Sequence, residues 1–315
     1  MAVARFVVGD WGTTHLRLHL CDETGAVLES LSGPGAVESA GRFNQVFDGL
    51  SGRWRTRYGA LPVTLCGMVG SNIGWVQAPY VACPTRLEEI GRDCVPAHGG
   101  LVHIIPGLSC RNRLNAPDFL RGEETQILGA LQLDPDMHKG RHLLCLPGTH
   151  TKWAVLEDAL VRDFLTAPTG ELYSLLREHS VLVRGDGRTG AEMDSKAFAK
   201  GMAQFYEYPQ SQILHRLFEC RSRLLNGELT ASTVSAFLSG LLIACDIAGA
   251  QQLMPDAFAG GTVRLVGSPE LTTLYAAGLV ARGYRAEPLD GGAASLAGLT
   301  HVHGQLNLGP AYANA

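Results

Sequence analysis

Two short segments of this 315-residue chain carry the residue types that handle phosphate, Asp10-Trp11-Gly12-Thr13-Thr14 and Gly148-Thr149-His150-Thr151-Lys152. A Gly-Thr turn between paired strands aims backbone N–H groups and hydroxyls at one point, and the missing Cβ lets a phosphate come close. Either turn alone reads as an ordinary hairpin. Their repetition, 148 − 12 = 136 residues apart, favours two turns that face each other and clamp a polyphosphate. Asp10 suits a Mg2+ site, because Mg2+ takes carboxylate oxygens and keeps several waters while bridging to phosphate. Lys152 adds a positive charge, and an imidazole at His150 could donate to a phosphate, so that its titration would depend on nucleotide.

The elements that must position these residues can be read from periodicity. Short β-type runs at residues 5–8 and 15–20 flank the first turn and a third strand is offered at 26–31, which predicts an opening antiparallel meander. A helix is expected near 43–58 and a buried strand over 63–68. That strand ends in the glycine-rich stretch Cys66-Gly67-Met68-Val69-Gly70-Ser71-Asn72-Ile73-Gly74-Trp75. Residues 101–105 read as another strand, and 123–133 has helical spacing through Ile127, Leu128 and Leu131. The opening pattern then returns, with apolar runs at 142–146 and 153–156 around the second turn. The rest is expected to be mainly helical to about residue 254, interrupted at 184–190. A strand at 262–266, a helix through about 281 and a small-residue helix over 290–299 complete the reading. Two β-turn-β units at the heads of two halves predict two related lobes, 1–135 and 136–315, with the polar stretch 134–140 as the crossover.

Composition narrows the classes. At 46% hydrophobic and 18% charged the chain can bury two medium cores. A net charge of −4 and the absence of a Lys/Arg run with interleaved aromatics argue against nucleic-acid binding. Residues 1–8 show no cleavage pattern and no uncharged apolar run reaches 18 residues, so no membrane partner and a cytoplasmic location are expected. Eight scattered cysteines without a Cys-x-x-Cys pair read as reduced, mostly buried thiols.

The two turns resemble the first and second phosphate motifs of the actin/hexokinase-like ATPases. Val263-Arg264-Leu265-Val266-Gly267-Ser268-Pro269-Glu270-Leu271 resembles their adenosine motif, in which a strand runs into a glycine turn, here Gly267 and Ser268, against the purine. Longer strings narrow the resemblance: the glycine-rich stretch, Ala78-Pro79-Tyr80-Val81, Arg121-Gly122-Glu123-Glu124-Thr125-Gln126, Leu146-Pro147-Gly148-Thr149-His150-Thr151-Lys152-Trp153 and Thr169-Gly170-Glu171-Leu172. From about residue 5 to residue 300 the chain is similar to the 2-dehydro-3-deoxygalactonokinase family. The resemblance implies an α/β, two-lobed actin-like fold with ribonuclease H-like lobes and a nucleotide cleft between them. It also implies ATP and Mg2+ as cosubstrates and phosphoryl transfer to the 6-hydroxyl of 2-dehydro-3-deoxy-D-galactonate in galactonate breakdown, the product passing to an aldolase.

The attacking hydroxyl needs a proton acceptor. In related carbohydrate kinases an Asp some two dozen residues before the second phosphate motif has that role. Gly122-Glu123-Glu124 falls at that place, which makes Glu123 the expected base and Glu124 the reserve. The bland reading is a pair of exposed glutamates at a helix N-terminus. The sugar-acid pocket is expected in the first lobe from Gly70, Ser71 and Asn72, with Trp75 as an apolar wall and Arg121 on the substrate carboxylate. Trp75 reads equally well as core. Asp163 and Glu171 follow the second hairpin and could lean into the cleft or cap the next helix.

Two further signals carry less. Gly185-Asp186-Gly187-Arg188-Thr189-Gly190 fits the dinucleotide pattern, but no parallel strand follows it at the right distance. His301-Val302-His303 could set two imidazoles on one strand face, yet a third metal ligand is not in view. The alternatives kept open are a kinase for another small carbohydrate, a non-catalytic nucleotide-dependent regulator, and an NAD-binding enzyme. Besides sugar acid and ATP no partner is expected, and a homo-oligomer is left open.

Overall fold

The computed structural model describes residues 3–183, 194–208 and 212–306, so the Gly185 to Gly190 loop lies outside the described residues. The chain forms two compact units. The first holds Met1–Arg141, Ala154–Phe164 and Leu289–Ala315, and the second His142–Trp153 and Leu165–Pro288. Residues 136–141, 154–164 and 289–306 thus cluster with the first unit, although the expected division put all of 136–315 in the second lobe.

The chain opens with β1 (Phe6–Trp11), β2 (His15–Cys21), β3 (Val27–Pro34), α1 (Phe43–Tyr58) and β4 (Val63–Cys66). Six short strands follow: β5 (Tyr80–Ala82), β6 (Thr85–Arg86), β7 (Val95–Ala97), β8 (Val102–Ile104), β9 (Gly107–Arg111) and β10 (Pro117–Leu120). Next come α2 (Glu123–Leu133), β11 (Arg141–Leu146), β12 (Thr151–Glu157), β13 (Leu160–Ala167), α3 (Thr169–His179), α4 (Ser195–Glu207) and α5 (Ile213–Leu225). The last elements are α6 (Val234–Leu253), α7 (Pro255–Phe258), β14 (Thr262–Gly267), α8 (Pro269–Ala281), β15 (Arg285–Asp290) and α9 (Gly291–Gln305).

The main sheet of the first unit runs β3-β2-β1-β4-β8-β7. Its central strand, β1, is antiparallel to β2 and parallel to β4, and Phe6 to Gly9 are all buried, as a strand covered on both faces requires. Phe43, Phe47, Ser51 and Trp54 recur at helical spacing on the buried face of α1, and the three aromatics share an apolar cluster with Val7 and Val63. Phe6 points to the opposite face, where His303 of α9 stacks on it with ring centroids 4.1 Å apart. α9 crosses α2 at backbone distance: a Cβ on Gly129 would sit 1.7 Å from the Ala294 carbonyl oxygen, and one on Gly298 would sit 2.0 Å from that of Thr125.

A second six-stranded sheet runs β15-β14-β11-β12-β13-β6, with β11 parallel to β14. The order β13-β12-β11-β14-β15 repeats β3-β2-β1-β4-β8 of the main sheet, so the repeat inferred from the two Gly-Thr turns is a repeat of topology. In the second unit α6 is apolar all round and mostly buried, and glycines again set the helix contact. A Cβ on Gly201 of α4 or Gly240 of α6 would lie 2.1 Å from a carbonyl oxygen of the other helix. By length and composition α6 could cross a membrane, but it carries Asp246 near its middle and packs as core.

Three expectations change. The strand expected over 63–68 stops at Cys66, because Gly67 takes φ 92° and turns the chain into a 3-10 turn, Met68–Gly70. β13 lies in a stretch expected to be helical, where Arg162 and Asp163 interrupt the apolar alternation that would have signalled a strand. His301 and His303 lie on α9 rather than on a strand, and the His303 Nδ1 meets Thr64 Oγ1 at 2.9 Å.

The α2–α9 crossing gives a test of packing. Gly298→Ala should lower stability by about 1–3 kcal/mol through overpacking, read in thermal or urea unfolding. Gly304→Ala on the same helix, where nothing lies within 4 Å of an added Cβ, should be neutral or stabilising.

Candidate active site

Asp10 ends β1, in register with Arg17 of β2 and Cys66 of β4. The chain leaving β4 passes directly over it. A Cβ on Gly67 would lie 2.8 Å from Asp10 Oδ1 and 2.9 Å from the Trp11 carbonyl oxygen, so the position needs glycine both for its positive φ and for this approach. Gly122, with φ 105°, reaches the same point from the other side: its Cβ would stand 3.5 Å from the Gly67 Cα. Two glycines in contact therefore bring the start of α2 against the end of β1, and Glu123 beside Asp10.

Burial pushes the Asp10 carboxyl up to about 6, Arg17 opposes this, Glu123 adds to it, and a hydrogen bond from the Cys66 thiol lowers it. Glu124, 1% exposed, is pushed up to about 8 by burial and by Glu123. The glutamates also fold back on the loop before α2. The Arg121 N–H donates to Glu123 Oε2 at 3.0 Å, and the Gly122 N–H donates to Glu124 Oε2 at 2.6 Å. The expectation of two exposed first-turn glutamates thus fails for Glu124. Asp163, the other carboxylate considered, is held by the Arg113 guanidinium at 3.2 Å.

The turn after Asp10 is fixed from below and open above. The Ala36 N–H donates to the Gly12 carbonyl at 2.9 Å, while Thr13 and Thr14 are exposed and Thr14 Oγ1 meets His15 Nδ1 at 2.9 Å. In the second unit, nothing lies within 4 Å of a Cβ built on Gly148, and a Cβ on Gly12 would make only ordinary contact, at 3.6 Å. Neither has a positive φ, so the fold demands glycine at neither, and the open space is what an incoming phosphate would use. Thr149 and His150 are exposed, and His150 Nε2 pairs with Glu171 Oε2 at 2.9 Å. Thr151 and Lys152 turn inward: the Thr151 hydroxyl meets Tyr275 Oη at 2.9 Å, and Lys152 Nζ donates to the His150 carbonyl at 3.0 Å. Gly267 ends β14 with Pro147 3.4 Å from its Cβ position, and Ser268 caps α8 by accepting from the Leu271 N–H. A groove of about 740 Å3 runs between α4 and α8, lined by Phe198, Met202 and Tyr206 of α4 and by Glu270, Thr273 and Leu274 of α8.

Of the residues expected in the acceptor pocket, Ser71 is buried and Asn72 exposed. Gly70 lets Arg121 in, since its Cβ would be 2.8 Å from Nη1. The guanidinium lies over the Tyr80 ring at 4.3 Å and its Nη2 donates to the Ala78 and Pro79 carbonyls. Its Nε and Nη1 are buried without a hydrogen-bond partner among the described residues. Trp75 belongs to the core: its indole N–H donates to Asn44 Oδ1 at 2.7 Å and its ring packs on Trp11, Phe43 and Phe47.

Among the described residues no group of three ligating side chains could hold a metal on its own. Asp10 and its carboxylate neighbour instead fit a cation that arrives with phosphate oxygens. Sequence reasoning missed Arg17, Cys66 and Asp246. The last left a signal, as the single ionisable acid in a 20-residue apolar helix.

Two sheets of one topology, each entered through a hairpin with an open Gly-Thr turn, define a two-lobed enzyme fold of the actin/hexokinase-like ATPases. At 9% identity and TM-score 0.50, component A of the (R)-2-hydroxyglutaryl-CoA dehydratase of Acidaminococcus fermentans shares this fold over 95% of this chain and 98% of its own. A family model described as 2-keto-3-deoxy-galactonokinase matches residues 10–302, and the chain belongs to that family. It is 34% identical to a 2-dehydro-3-deoxygalactonokinase of Escherichia coli (strain K12), over 95% of this chain and 97% of that one. A protein of Rhizobium meliloti (strain 1021), named a probable 2-dehydro-3-deoxygalactonokinase, is 38% identical over 92% of this chain and 94% of its own. A crystal structure from Sinorhizobium meliloti, assigned to the same enzyme, superposes with TM-score 0.85 at 34% identity over 97% of each chain.

The buried acid sets a pH dependence. Glu124 has its folded-state value raised from 4.5 to about 8, so the stability present below 4.5 is lost as the pH rises through 8. Urea unfolding should show wild type losing on the order of 4 kcal/mol between pH 5 and pH 8.5, and Glu124→Gln losing clearly less. Parallel curves would mean that Glu124 is already ionised at neutral pH.

Proposed function

We propose that the protein transfers the γ-phosphoryl group of ATP to the 6-hydroxyl of 2-dehydro-3-deoxy-D-galactonate. Family membership supports the reaction class and the names of the relatives support the substrate. The observation that carries the mechanism is the contact of Gly67 with Gly122, which sets Glu123 beside Asp10.

In this reading the first unit is the acceptor lobe. Glu123 takes the proton of the 6-hydroxyl as its oxygen bonds to the γ-phosphorus. The bond from that phosphorus to the bridging oxygen breaks, and ADP leaves with the electron pair. Arg121 would meet the substrate carboxylate with its two unpartnered donors, since an anion is the ligand that relieves a buried, unpaired guanidinium. Gly70, Ser71 and Asn72 would supply the neighbouring donors. Asp10 would hold Mg2+, which neutralises phosphate charge when bound. Gly12, Thr13 and Thr14, and in the second unit Gly148, Thr149 and His150, would take phosphate oxygens on backbone N–H groups and side chains. Lys152 and Thr151 would act from beneath the second turn. Gly267 and Ser268 would face the nucleoside. We place the reaction in the cytoplasm, where ATP is at hand.

Incubation with Mg-ATP and a panel of 2-dehydro-3-deoxy sugar acids, with detection of phosphorylated product, tests the substrate; no turnover on any member would overturn it. Glu123→Gln should lower kcat by about 10²- to 10⁴-fold with both KM values little changed, while Glu124→Gln costs less. If the larger loss falls on Glu124→Gln, the base is that residue. Asp10→Asn should impair turnover most at low Mg2+ and leave the fold intact; normal turnover there would remove Asp10 from the metal site.

A further inference from the structure

One buried carboxylate in the second unit stands outside every role assigned so far. Asp246 lies midway along α6 and is almost fully buried. Its Oδ1 accepts from the Trp153 indole N–H of β12 at 2.8 Å. Its Oδ2 accepts from the Thr169 hydroxyl, first residue of α3, at 2.7 Å, and from the Tyr275 hydroxyl of α8 at 2.5 Å. Because the Tyr275 proton is committed to Asp246, the 2.9 Å contact between Thr151 Oγ1 and Tyr275 Oη makes Thr151 the donor. Three elements, β12, α3 and α8, thus converge on a single acidic group in α6, a helix that is otherwise apolar.

Both ends of this network bear on the second Gly-Thr turn. Thr151 is the residue at which the turn enters β12. Thr169 begins α3, whose next two residues support the turn from below: a Cβ on Gly170 would stand 2.3 Å from the Gly148 carbonyl oxygen, and the Glu171 N–H donates to the Thr149 carbonyl at 2.9 Å. A rearrangement at Asp246 would therefore reach both sides of the turn, while the acid itself remains beneath the surface. For packing alone an apolar residue would serve better, since an isolated buried carboxylate is costly unless fully hydrogen-bonded.

We propose that Asp246, with Tyr275 and Thr169, positions the second phosphate turn and so sets the affinity for Mg-ATP without touching it. The proposal rests on the kinase reading above. Tyr275→Phe removes one oxygen from the network, and Thr169→Val one hydroxyl. Each should raise the Kd for Mg-ATP, by calorimetry without sugar acid, about tenfold, the scale of a hydrogen bond to a charged acceptor. KM for ATP should follow, with kcat and KM for the sugar acid within about twofold. Thr169→Ser, which keeps the hydroxyl, should restore wild-type binding. A purely structural role would lower the unfolding temperature and leave the Kd of the folded variants unchanged, and that result would overturn the proposal. Failure of wild type to bind Mg-ATP would overturn the kinase reading itself. Asp246→Asn, which turns an acceptor into a donor facing hydroxyl protons, should exceed both single losses if it folds, and a wild-type Kd for it would overturn the proposal.

Discussion

The site depends on two glycines being able to touch. Gly67, at φ 92°, lies so close over β1 that a Cβ would meet Asp10 Oδ1 at 2.8 Å and the Trp11 carbonyl at 2.9 Å, and Gly122, at φ 105°, packs against Gly67 to begin α2. The start of α2 gathers three acidic side chains at the end of β1, Asp10 and Glu123 half-buried and Glu124 buried. Their mutual repulsion and burial raise two of them well above the ordinary carboxylate range. The resulting arrangement prefers fewer negative charges than its sequence supplies, and a cation or a proton is what satisfies it. In the proposed reading, a metal arriving with its nucleotide and a proton from the acceptor would answer that deficit.

The second unit solves a parallel problem by the opposite means. Its phosphate turn is open to solvent at Thr149 and His150, and its order comes from below, through a fully hydrogen-bonded acid in a helix core. One sheet topology therefore carries two arrangements: acidic charge crowded at the end of β1, and hydroxyls, an imidazole and the Lys152 ammonium after the end of β11. Glycine at 148 faces open space, whereas glycine at 67 makes room for the protein's own backbone.

Much of this was legible in the amino-acid order because it is local. The β1 turn, the start of α2 at Glu123, and the strand into Gly267 follow from period and turn chemistry over a few residues. What was not legible depends on distance along the chain. The meeting of Gly67 with Gly122 spans 122 − 67 = 55 residues, and nothing in either segment names the other. Trp75 could be read as pocket or core until α1 placed Asn44 and Phe47 against it. Glu124 reads as a solvent-facing first-turn residue by helix rules, and only the packing around α2 buries it. β13 was hidden because its charged pair, Arg162 and Asp163, broke the alternation, and Asp163 found its partner in Arg113, 50 residues earlier.

The placement of α9 has a consequence for synthesis. This helix lies against β1, β4 and α2, yet it follows the end of α2 by 291 − 133 = 158 residues, the whole of the second unit intervening. A ribosome adding 5–20 residues per second needs roughly 10–30 s to cover that stretch. For that interval the nascent first unit exposes the apolar face that α9 later covers, while the second unit can close around α6 at once. The half of the protein made first is therefore the half finished last.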